Sequence, residues 1–222
     1  MITIVISRQD PPMQYFYDYF VSSLLELAVR EYRVTFLTDP DTTGRDDIIA
    51  ALRESEGIFF FTHGLPDGIV ISDKLVTGPE DAPLYEDKIV YAVSCSAAIN
   101  FGSAISEYGS FLGYAQDTMF FINGRLGALF IEPLLQPAYS LLLGRTVHDA
   151  YVDTIEVYDR LIEYLEGKPK YSLALGMMKH NKKSFVVIGD EDRKLTKEGS
   201  SIIVMVTTPL TLYSMIRPFI KV

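Results

Sequence analysis

Gly57-Ile58-Phe59-Phe60-Phe61-Thr62-His63-Gly64 and Lys88-Ile89-Val90-Tyr91-Ala92-Val93-Ser94-Cys95-Ser96 are the two stretches on which the reading of this chain turns. Each contains an apolar run without polar alternation. That is the pattern of a strand buried on both faces of a parallel sheet. Each run ends in a side chain capable of chemistry, an imidazole in the first and a thiol in the second. Open α/β sheets place their binding crevices beyond the carboxyl ends of the strands. Neighbouring strands lie about 4.8 Å apart, so side chains at two adjacent tips can approach one another.

Working outward, strand-like and helix-like runs alternate. Residues 2–6 form a short β-branched strand, and residues 15–32 carry apolar side chains at helical spacing. Residues 33–38 read as a second strand, 46–55 as a short helix, and 68–77 as a hairpin turning at Ser72-Asp73. Residues 96–108 are expected to be a helix ended by Gly109, and 110–114 a fifth strand. From 133 to 181 the pattern is mainly helical, interrupted at Pro137, Gly144 and Gly167-Lys168-Pro169; residues 184–188 give a sixth strand. The alternation implies an α/β architecture with a mostly parallel central sheet of about six strands covered by helices. The expected division is a domain over residues 1–195 and an apolar extension, 196–222, packed on that same domain. Residues 199–216 carry no charge, so a membrane span has to be weighed. Pro209 and the Ser and Thr content favour a buried strand at 202–206, a turn and a second apolar element.

Composition limits the functional classes. The chain has 222 residues, 48% hydrophobic and 22% charged, and a net charge of −9. A core can form without disulfides or metals. The acidic balance argues against nucleic acid as a direct partner, because phosphate binding needs a basic face. The N-terminus lacks the basic and apolar regions of a secretory signal. One Cys excludes a disulfide framework within the chain and a Cys-rich zinc site, and fits a reducing compartment. A cytoplasmic location is therefore expected. Phosphate-cradling glycine motifs are absent, which leaves nucleotide hydrolysis without support. The acidic run of residues 152–166 reads as a solvated face or a partner surface.

The pairing of Cys95 with His63 has a chemical logic. A thiol is a weak nucleophile until deprotonated, and a neighbouring imidazolium lowers its pKa. The same imidazole can then protonate a leaving amine. Gly64 leaves its backbone N–H open to an oxyanion, and the N–H of Cys95 can supply a second donor. A helix beginning at Ser96 would add its dipole at the thiolate. Taken singly, a Cys or His at a strand end is more often structural; their joint placement is what carries weight. His148 and His180 lie in helical stretches among charged neighbours and lack this setting.

The apolar strand ending in His63-Gly64, followed by the one ending in Ser94-Cys95, resembles the clan of caspases, legumain, separase, gingipains and CHAT-domain peptidases. Ser110-Phe111-Leu112-Gly113-Tyr114 resembles the strand that forms one wall of the S1 pocket in gingipain-like members. Residues 184–190, ending Gly189-Asp190, resemble a late strand of that branch, where Pro commonly follows; here Glu191 does. The resemblance covers about residues 1–195. It implies a caspase-like (caspase-hemoglobinase) three-layer sandwich. It also implies a cysteine endopeptidase with a His63/Cys95 dyad, no cofactor and no catalytic metal, cutting a protein or peptide after one selected P1 side chain.

In that clan the loop after the first strand commonly supplies the charged S1 residue. Here the loop is Ser7-Arg8-Gln9-Asp10-Pro11-Pro12. Arg8 would select an acidic P1 and Asp10 a basic one, while Asp117, just past Tyr114, is a second candidate for basic selection. Two acids against one Arg favour a basic P1. Control by a regulatory protein subunit is expected, acting on loops at 67–84 and 114–125. Two other readings stand beside this one. The chain is a silent caspase-like interaction subunit of a signalling complex, or a cysteine-dependent enzyme acting on a small molecule, with Asp67 or Asp73 orienting His63.

Overall fold

The computed structural model describes residues 1–39, 41–122 and 124–197, and the backbone of 204–206. The chain runs β1 (Ile2–Ile6), α1 (Pro11–Ser23), α2 (Leu25–Glu31), β2 (Val34–Leu37), α3 (Arg45–Glu54) and β3 (Gly57–Phe61). A small excursion follows: β4 (His63–Leu65), β5 (Gly68–Ile71), β6 (Lys74–Thr77) and a 3-10 helix, Pro79–Tyr85. Then come β7 (Ile89–Val93), a wide helical turn over Ala98–Gly102, the single turn α4 (Ser103–Ile105) and β8 (Ser110–Tyr114). The long helices α5 (Gly124–Leu142) and α6 (Val147–Leu165) lead to α7 (Ser172–Ser184), β9 (Phe185–Gly189) and β10 (Val204–Val206).

Among the described residues the main sheet has seven strands in the order β10-β2-β1-β3-β7-β8-β9: the six of the central sheet expected from the sequence, and β10, which falls within the strand expected at 202–206. Every pairing is parallel except β8 with β9. The exception has a local cause. β9 follows α7 with no intervening loop, and Ala115 N–H donates to the Ser184 carbonyl at 2.8 Å, so the chain folds back beside β8. The apolar runs are the innermost strands: all five residues of β1, β3 and β7 are buried. Alternate residues feed two cores. Ile4, Phe59, Phe61 and Tyr91 pack with α1, α2 and α5–α7 on one face. Val5, Phe60, Val90 and Ala92 pack with α3, Tyr85 and Phe101 on the other. Layer, sheet, layer is the three-layer sandwich expected.

Several local expectations change. The helix expected at 15–32 is two helices, broken at Leu24. Pro137 does not divide helices; it and Pro133 both lie within α5, which begins at Gly124. The helix expected from Ser96 is instead the wide turn at Ala98 plus α4, so no long helix dipole points at the thiol. The hairpin turn is confirmed, with Ser72 and Asp73 at φ 49° and 60°, the left-handed pair of a type I′ connection. At the C-terminus, β10 pairs in parallel with β2. The expected turn and second apolar element lie outside the described residues. Among the described residues no helix is long and apolar enough to cross a membrane.

Candidate active site

The strand order makes the site. The connection leaving β1 runs to β2 on one side and the one leaving β3 runs to β7 on the other, so a crevice opens between the carboxyl ends of β1 and β3. Three chain segments emerge there: residues 7–10 after β1, Thr62-His63-Gly64 after β3, and Ser94-Cys95-Ser96 after β7. β3 and β7 are paired in register, Phe61 opposite Val93. Their extensions stay together: the Ser94 hydroxyl donates to the Thr62 carbonyl and pairs with the Thr62 hydroxyl, both at 3.1 Å.

Gly64 is pressed against the nucleophile candidate. A β-carbon built on it would lie 2.7 Å from the Cys95 carbonyl oxygen, 2.7 Å from the Ser94 β-carbon and 3.0 Å from the Cys95 nitrogen. A side chain would force the two strand tips apart, so glycine is required for the close approach. The backbones of the His-Gly and Ser-Cys motifs are thus brought into contact, as their positions at two strand ends led one to expect.

Their side chains are engaged differently. His63 is 43% exposed, and its Nε2 is paired with the Asp10 carboxylate. The other Asp10 oxygen accepts from Met13 N–H at 3.0 Å, capping α1. Pro11 in the first turn is the usual companion of such a cap. Cys95 is half-buried. Burial raises its thiol pKa above the ordinary value, and the nearby Asp117 carboxylate adds to the rise; a hydrogen bond from the Thr118 backbone works the other way. Ser96 follows with φ 57°, a left-handed conformation uncommon outside glycine. The turn is fixed by Ser96 N–H donating to the Gln116 carbonyl at 3.2 Å and Ser96 Oγ donating to Asp117 at 2.9 Å. Residues 117–119 are braced in turn by α7: His180 Nε2 meets the Asp117 carbonyl at 2.9 Å, and buried Asn181 bonds both backbone groups of Met119.

The substrate-binding candidates separate. Asp10 faces His63, a carboxylate partner the sequence reading assigned instead to Asp67 or Asp73. Asp67 accepts from the Asn100 side chain at 2.7 Å, and Asp73 sits in the hairpin turn. Arg8 is exposed, lies 4.5 Å over the Tyr17 ring and donates to Gln14. Tyr114 is fully buried with its hydroxyl 2.9 Å from that of Tyr158, so its side chain is core rather than pocket wall. Asp117 is exposed beside the thiol. The signal for Asp10 was present as the cap sequence Asp10-Pro11-Pro12, and only the β1–β3 pairing shows that this cap stands next to His63. Among the described residues no cluster of three or more His, Cys, Asp or Glu is arranged to hold a metal ion.

No family model and no curated protein sequence matches the chain. Among solved structures it is similar to the Arg-specific cysteine proteinase gingipain R, with a TM-score of 0.62 at 10% identity. The match covers 88% of this chain and 47% of that one, so the chain spans about half the length of that proteinase. Sheet order, layering and this likeness together give the architecture: the chain has the caspase-like α/β fold.

Proposed function

We propose that the chain is a cysteine endopeptidase in which Cys95 is the nucleophile and His63 the proton carrier. The observation that carries this reading is the packing of Gly64 directly on Cys95 at the tips of two paired parallel strands. In the reaction the thiol loses its proton to the imidazole as sulfur attacks the peptide carbonyl. The backbone N–H groups of Gly64 and Cys95 face the developing oxyanion. The imidazolium then protonates the leaving amine, and water, deprotonated by the same imidazole, hydrolyses the thioester. Asp10 holds the imidazole and compensates its positive charge.

Asp117 is the S1 candidate this reading favours. What supports it is that its carboxylate is exposed and accepts from the hydroxyl of Ser96, the residue after the nucleophile candidate, at 2.9 Å. A basic P1 follows. Control by a partner subunit belongs to the same reading: residues 117–119 are braced by α7 and bonded to the turn after Cys95, so binding there would change the setting of the thiol.

The test is cleavage of a randomised peptide library by the wild type, Cys95→Ala, His63→Ala and Asp117→Asn, with and without candidate partners. Cys95→Ala and His63→Ala should abolish cleavage, and Asp117→Asn should lower kcat/KM for basic P1 about 100-fold. Cleavage that survives Cys95→Ala rejects the assignment. The raised thiol pKa also favours a second reading, a catalytically silent interaction subunit. Failure of a peptide-based thiol electrophile to label Cys95, even with partners present, would select it.

A further inference from the structure

The small sheet that carries His63 has a second, outward face. Residues paired across a β-ladder share a face. His63 pairs with Val70, Val70 pairs with Leu75, and Leu65 pairs with Gly68. His63, Val70 and Leu75 therefore form one row across three strands, with Leu65 beside it on the same face. The register of β5 with β6 shifts between Ile69 and Val70, so Ile69 pairs with Thr77, and both of these are fully buried on the inner face. On the outward face Leu65 is 54% exposed and Leu75 44%, and Gly68 leaves a flat step against which the Leu75 side chain lies.

This face is held in place. The Gln9 side chain accepts from Ser72 N–H at 2.6 Å, fixing the hairpin turn to the loop after β1. The Pro66 carbonyl accepts from both Asn100 and Phe101 N–H at 3.1 Å, and Asn100 donates to Asp67 at 2.7 Å. The hairpin is thus tied to the β1 loop that supplies Asp10 and to the segment after Cys95.

We propose that Leu65, Val70 and Leu75 form a subsite for an apolar side chain on the leaving side of the scissile bond. The inference rests on the peptidase reading and extends it. A peptide cleaved by Cys95 must pass its leaving amine to the imidazole, so the segment after the scissile bond lies over His63 and then over whatever continues that face. Two strand spacings carry the row about 10 Å from His63, the length of about three extended residues. One of the first three residues after the cut therefore meets leucine and valine side chains.

The experiment uses a peptide library randomised on both sides of the scissile bond, with products identified by mass spectrometry. The second substrate is an aminomethylcoumarin amide of the P1 residue the library selects, which has no peptide after the bond. The wild type should prefer Leu, Ile or Phe over Asp or Ser within the first three leaving-side positions by about tenfold or more in kcat/KM. The double variant L65S/L75S should bring that ratio close to one while leaving coumarin-amide turnover unchanged. A preference that persists in the variant, or no apolar preference in the wild type, overturns the subsite and leaves the peptidase reading intact. Absence of all cleavage together with an unlabelled Cys95 overturns both.

Discussion

The two halves of the candidate site are built on opposite principles. The imidazole half is exposed and held by polar contacts: Asp10 on His63, Gln9 on the hairpin turn, Asn100 on Asp67. A carboxylate faces the ring, that of Asp10. The thiol half is half-buried, and both burial and Asp117 oppose negative charge on the sulfur. One half pairs a ring with a carboxylate at the surface; in the other, burial and a carboxylate raise the thiol pKa. Under the proposed peptidase reading, the braced segment at residues 117–119 is the place where the setting of the thiol can change.

The largest effect is expected at the contact between the halves. Gly64→Val puts side-chain carbon against the Cys95 backbone. It should cost about 1–3 kcal/mol in chemical denaturation and reduce Cys95 labelling by an active-site electrophile more than 100-fold. Normal labelling in this variant would mean that the tips need not touch. Asp10→Ala acts on the imidazole half alone: loss of the helix cap should cost about 1 kcal/mol and turnover should fall about tenfold. Asp10→Asn sharpens the distinction, because Asn caps nearly as well. Its unfolding midpoint should return to the wild-type value while turnover stays low.

The thiol half responds in the opposite direction. Asp117 raises the Cys95 pKa, so Asp117→Asn should lower it and increase the thiolate fraction at pH 7. Iodoacetamide alkylation of Cys95 at that pH should quicken about two- to fivefold, and its pH profile should move to lower pH. A slower reaction would show that Asp117 acts through the Ser96 turn and not through its charge. The smallest effect is expected at Ser96→Gly. Glycine relieves the left-handed conformation, and the lost hydroxyl bond to Asp117 offsets part of the gain, leaving a net change within about 0.5 kcal/mol.

Much of the frame was legible in the sequence because burial on both faces leaves an unmistakable composition. The runs ending at Phe61 and Val93 are central parallel strands, and residues 110–114 form β8 as read. Turn chemistry was legible where left-handed residues were needed, at Ser72-Asp73. Element boundaries were less so. Pro133 and Pro137 lie inside α5, and the segment after Cys95 is too short and irregular to be the helix its composition implied. Tyr114 illustrates the same limit, since an aromatic at the end of a strand can line a pocket or fill a core, and here the Tyr158 hydroxyl draws it inward.

By itself the sequence determined which side chains stand at strand ends, because apolar periodicity and its termination are local properties. His63, Gly64 and Cys95 were fixed as candidates in that way. Only the tertiary structure decided who meets whom. The order β2-β1-β3-β7 is set by long-range packing of both sheet faces, and it brings the cap of α1 to His63 and the loop after β8 to Cys95. No local pattern encodes which strands become neighbours, so the partners of the two reactive groups could be read only once the sheet was assembled.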